Sequence, residues 1–180
     1  MSSLPYLVFL LITPSIVFGR LGDNQRQAAE RYGQPLIYQS MGSVPFTPAE
    51  DSNDWNLERW YNKNNLIFHL KFLDGICWQI EIKSADNIML GGSAMDMTEP
   101  EAMVFMEKSM GSSILFSHEV PYQYSSDITY QDRIYTAPGE LEAKFCKARL
   151  QITNTQLQKK LQERLNNSSK QQAEGRYKGF

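Results

Sequence analysis

The chain has 180 residues, enough for one domain or two very small ones. Hydrophobic residues make up 42% and charged residues 21%, an ordinary globular balance, and the 12% of aromatics suits strands. A formal net charge of −2 gives no global field toward nucleic acid or an anionic membrane, so neither is an expected partner.

The first segment, MSSLPYLVFLLITPSIVFG, carries no charge. Its apolar run from Leu4 to Phe18 is shorter than the roughly 20 residues a membrane-spanning helix needs. It ends in Val17-Phe18-Gly19 before Arg20, which predicts a secretory signal cut after Gly19. The usual Lys or Arg of the n-region is missing, so an uncleaved anchor is the alternative. With the signal removed no transmembrane span is expected. The domain is then expected over 20–153, with a polar helix and flexible basic tail over 154–180.

Asp23 is placed to cap a first helix, NQRQAAERY, which Gly33 and Pro35 end. PLIYQS (35–40) reads as a strand, and 41–54, with two prolines and three acids, as a loop. Residues 56–83 hold three strand runs. Their turn signals are Asn62-Lys63-Asn64-Asn65 and Asp74-Gly75, the second being a favoured type I′ pair. Alternation predicts one greasy face of Phe68, Leu70, Phe72, Trp78, Ile80 and Ile82 and one mixed face, the pattern of an antiparallel sheet covered on one side.

Thr98-Glu99-Pro100-Glu101 is a capping box with proline in the first turn, opening a helix that runs to Met110 and stops at Gly111. More sheet follows at 113–118, 127–136 and 140–153. From Asn154 the pattern is helical and polar, and 159–180 carries a charge of +4. The expected fold class is α+β: helices packed on antiparallel sheet. Because each β region follows a helix that ends in Gly, the chain is expected to hold two α-then-β units, 20–83 and 98–153.

Leu21-Gly22, Arg31-Tyr32-Gly33 with Pro35, the Asp74-Gly75 turn, Thr98 to Glu101 and the terminal Gly179-Phe180 give the chain a resemblance. It resembles a group of small exported bacterial proteins of unknown function, which share a leader, an LG…RYG-x-P opening, aromatic strands and a polar tail ending in GF. The resemblance implies export and supplies no activity to carry over. The helix-then-sheet order is also similar, at the level of fold alone, to bacterial β-lactamase-inhibitor-type proteins.

Residues 89–110 hold six of the eight methionines. Met103, Met106 and Met110 share a helix face with Ala102 and Phe105 and are expected to pack. Met95 and Met97 precede them in a Gly/Ser loop as an M-x-M. Soft thioethers bind Cu(I), so these two are the candidate metal ligands should the chain bind copper. Cys77 and Cys146 lack C-x-x-C spacing, and a disulfide is preferred slightly over two buried thiols. Of the two histidines, His69 falls mid-strand with Lys71 and Glu81 as potential neighbours, while HEVPY at His118 breaks the metalloprotease pattern. GGSAM (91–95) is not a nucleophile elbow, and no phosphate-binding glycine loop occurs. No catalytic residue and no cofactor are assigned. Trp55, Trp60 and Tyr61 are the candidate binding residues, since aromatics on a sheet can grip a sugar or a partner chain; Trp78 is expected in the core.

The sequence therefore predicts an exported, periplasmic or secreted binding module, non-enzymatic, whose partner is a protein or an envelope polymer. A small hydrolase-like enzyme using Asp51, Asp54 or Glu81 is the first alternative and Cu(I) binding the second.

Overall fold

The structure is a computed structural model that describes residues 20–36, 56–84, 97–111, 113–125, 128–146 and 149–177. Among these the elements run α1 (Gln25–Tyr32), β1 (Asn56–Lys63), β2 (Leu66–Leu73), β3 (Ile76–Ser84), α2 (Glu99–Met110), β4 (Leu115–Ser125), β5 (Ile128–Ala137), β6 (Leu141–Cys146), β7 (Arg149–Asn154) and α3 (Thr155–Tyr177). The strands form one sheet in the order β1-β2-β3-β7-β6-β5-β4, with every pair antiparallel. The α+β class stands. A helix followed by an antiparallel meander occurs twice, and the last strand, β7, is the seam that joins the meanders by pairing with β3.

Local chemistry explains the boundaries. Asn64 and Asn65 both have positive φ, as do Asp74 and Gly75, so each hairpin turns on the mirror-image geometry that Asn and Gly accept. Helix α2 starts on the expected capping box: Thr98 accepts from the Glu101 backbone while Glu101 reaches back to the Thr98 N–H, and Gly111 closes the helix at φ 69°. The cap of α1 is Asn24, in a box with Gln27, rather than Asp23. Asp23 is instead buried, bonded to the Arg20 N–H and paired with Arg31 at 2.7 Å. Its own backbone pairs with Cys77, which ties the start of α1 to the head of β3.

One face of the sheet is covered by α1 and α2. Tyr32 of α1 packs on Phe68 with ring centres 4.5 Å apart and planes tilted by 36°, and lies 5.5 Å from Tyr61. Ala102, Met106 and Met110 of α2 sit in the same core with Phe72, Ile80, Ile82, Leu150 and Ile152. The stripe that includes Met103 and Phe105 thus lies against the sheet as its periodicity predicts, with those two partly buried.

Three expectations need correction. Trp78 does not face this core. A two-residue turn sets Cys77 opposite Phe72, so Cys77, Ile80 and Ile82 can share the covered face only if one residue is extra. The register shift between Lys71 and Phe72 makes that residue Trp78, which joins Leu73 and Leu161 on the opposite face. Second, Cys77 and Cys146 are both buried and no disulfide joins them. Cys77 lies two positions before Gln79, the partner of Thr153, whereas Cys146 pairs with Arg149 at the other end of β7. They are offset by about 20 Å along the strands, far beyond the roughly 7 Å that a disulfide spans between Cα atoms. Third, the tail is helical to Tyr177, and three of its cations are engaged: Lys159 with Glu140, and Lys160 and Arg164 with Asp74.

Residues 140–153 form two strands, not one run, with β6 and β7 paired from Leu141↔Asn154 to Cys146↔Arg149. The strand expected at 35–40 is described only at Pro35 and Leu36, where the Leu36 N–H donates to the Trp60 carbonyl at 2.7 Å. The expected leader (1–19), the loop at 41–54 and the GGSAM segment lie outside the described residues.

Candidate functional site

The face opposite α1 and α2 carries most of the sheet's polar side chains. Alternation dictates which: Glu58 and Trp60 on β1, His69 and Lys71 on β2, Glu81 and Lys83 on β3. Register brings them side by side, with Trp60 opposite His69, His69 opposite Glu81, Glu81 opposite Gln151, and Gln151 opposite Lys144. A single row of side chains therefore crosses five strands.

His69 is its centre. The ring stacks on Trp60 at 4.2 Å between centres and 9° between planes. Nε2 lies 2.7 Å from Glu58 and Nδ1 lies 3.4 Å from Glu81. A ring that donates from both nitrogens satisfies both carboxylates. Each carboxylate also meets a lysine: Lys71 at 3.7 Å from Glu58, and Lys83 at 2.9 Å from Glu81. The side chains are a sixth to somewhat over a third exposed, so they are held yet reachable.

Burial alone would raise the Glu81 carboxyl, but the hydrogen bonds from His69 and Lys83 outweigh it and bring the pKa down to about 2 from an ordinary 4.5. A folded pKa below the unfolded one stabilises the fold at every pH above the unfolded value, and that contribution disappears as pH falls through the folded value. Urea midpoints should therefore fall between pH 4.5 and 2 by an amount equivalent to about 2 kcal/mol after discounting for solvent screening. Glu81→Gln should lack that portion of the pH dependence. Equal acid slopes for variant and parent would refute the assignment.

Further along the face, Arg149 donates to Asp132 at 3.1 Å and to Gln151 at 2.9 Å, and Gln151 donates to Thr153 at 3.3 Å. Asp132 is 3% exposed, and its Oδ1 is buried without a hydrogen-bond partner.

The expected site residues fall unevenly. Trp60 is on the open face, partly exposed. Tyr61 points the other way, is 1% exposed and belongs to the core, so it is not a surface binder. Trp55, Met95, Asp51 and Asp54 lie outside the described residues. Met97, expected in an exposed loop, is 9% exposed and part of the core. His118 is exposed on β4, apart from His69. Glu81 neighbours His69 as expected, while Lys71 reaches Glu58 instead. Glu58, Lys83 and the Asp132–Arg149 pair went unnoticed, although Glu58-x-Trp60 and Glu81-x-Lys83 alternate visibly.

Glu58 and Glu81 hold opposite nitrogens of one ring and so do not converge on a common point. Among the described residues no group of three or more His, Cys, Asp or Glu is placed to hold a metal ion, and no helix is long and apolar enough to cross a membrane.

No family model matches the chain, and no curated protein matches it. Among solved structures it is similar to a cysteine-rich secretory protein from Staphylococcus aureus, at 8% identity and a TM-score of 0.38. That likeness covers 76% of this chain and 45% of the other, so the chain spans under half of that protein.

Proposed function

We propose that the protein is an exported, periplasmic or secreted binding module that presents the Trp60–His69–Glu81 face of its sheet to a protein or an envelope polymer. The observation that supports this is the cross-strand row itself: an aromatic ring, an imidazole and two lysine-paired carboxylates, held on rigid strands rather than loops. Side chains locked by neighbours lose little freedom when a ligand arrives, which favours recognition. A general acid needs a raised carboxyl pKa near the working pH. Glu81, held down at about 2, remains ionised and is a feeble base, which weighs for binding over hydrolysis at this site.

Immobilised full-length protein should retain a ligand from the exported fraction of its source cells or from isolated envelope polymer. Trp60→Ala should weaken that retention at least ten-fold with an unchanged circular dichroism spectrum, a loss of about 1.4 kcal/mol. Equal retention by Trp60→Ala and parent would remove this face from consideration.

A further inference from the structure

One end of the open face is not open. Helix α3 leaves β7 without a loop and contacts β3 and β7. It sets Leu157 and Leu161 against Leu73 and Trp78, a cluster separate from the main core. Gln79 and Thr153, paired in register on the same face, are 7% and 3% exposed. Two features make this docking weak. The Trp78 indole N–H is buried with no acceptor, a group that water would satisfy if the helix left. Past Thr155, whose N–H and Oγ both donate to the Glu140 carbonyl where the helix begins, the other anchors are exposed ion pairs to two turn residues, Lys160 and Arg164 to Asp74 at 3.2 and 2.6 Å and Lys159 to Glu140 at 3.3 Å, all open to screening by salt. From Leu165 to Gln172 the helix is exposed.

We infer that α3 is a detachable strap across the Leu73–Trp78 end of the binding face, docked in this structure and released as a unit while the sheet stays folded. Release lengthens the face by Leu73, Trp78, Gln79 and Thr153 and adds an apolar end to a polar row. The use of that longer face rests on the binding role proposed above; the release itself does not.

The test uses the full-length protein without any ligand, so its outcome is independent of the binding role. Hydrogen exchange is followed in α3 and in β2, β3 and β7, together with the Trp78 indole N–H. An undocked polar helix is marginal in water and exchanges freely. Amides of α3 and the Trp78 indole should exchange at least ten-fold faster than the sheet amides. Raising NaCl from about 0.05 to about 0.5 M should speed α3 a further three-fold or so while leaving the sheet unchanged. Asp74→Asn with Glu140→Asn keeps turn-compatible residues and removes both anionic anchors. It should reproduce the acceleration and abolish the salt effect. A single exchange rate shared by α3 and sheet would overturn the strap, as would fast α3 exchange indifferent to both salt and the double substitution.

Discussion

Met106→Ala should destabilise the protein by about 3 kcal/mol in urea unfolding, whereas Val104→Ala, two residues away, should change it by no more than about 0.5 kcal/mol. Both side chains belong to α2, and helix propensity favours Ala in either place. What differs is the side they face. Met106 is fully buried among sheet residues, so its removal loses transfer energy and leaves a cavity. Val104 is 45% exposed and leaves none. The same geometry predicts that dilute peroxide oxidises Met106 only as fast as the protein unfolds. A small loss for Met106→Ala, near that of Val104→Ala, would mean that α2 does not lie on the sheet as described.

Arg149→Ala should cost about 3 kcal/mol, more than an exposed ion pair is worth. The side chains of Arg149 and Asp132 are 14% and 4% exposed. Deleting the guanidinium strands a carboxylate that already has one oxygen without a partner, and desolvation of that lone charge is the larger part of the loss. The double variant Asp132→Ala/Arg149→Ala should therefore be more stable than Arg149→Ala alone. If instead the two losses simply add, the residues are not coupled and the pair is solvated. Arg149→Lys should fall between, because an ammonium keeps the charge but cannot reach both Asp132 and Gln151 as the planar fork does.

Much of the fold was legible because local chemistry agreed with tertiary packing. Thr98-x-x-Glu101 with Pro100 marks the start of α2 to the residue, and Asp74-Gly75 marks the β2–β3 turn. What failed was whatever depended on a one-residue count or on a partner remote in sequence. Trp78 is buried as expected, but alternation places it on the wrong face because a bulge leaves no mark in a run of apolar residues; the parity of Cys77 against Ile80 is the available clue. The division of 140–153 into β6 and β7 is hidden in the sequence since residues 146–149 contain neither Gly nor Pro. The helix from Asn154 is legible in its pattern, but not its docking, in which Leu157 and Leu161 meet Leu73 and Trp78 about 85 residues away and Asp74 supplies an anion; the polar composition of the residues after it reads as a flexible tail, although the helix continues to Tyr177. At the site, the chain order shows His69 and Trp60 but not their stacking, which needs the β1–β2 register. Tyr61 went wrong by one position, and on a strand one position is the whole difference between ligand side and interior.

The placement of β7 has a consequence for how the molecule comes to be. Residues near Ile80 must wait for residues near Ile152 before the middle of the sheet exists. Closing so long a loop before its reward arrives is entropically slow. Until synthesis passes Asn154, the first meander has a bare, apolar border at β3, open to any extended chain that meets it. The nascent polypeptide thus stays vulnerable to mispairing until β7 is made, and that strand acts as a keystone.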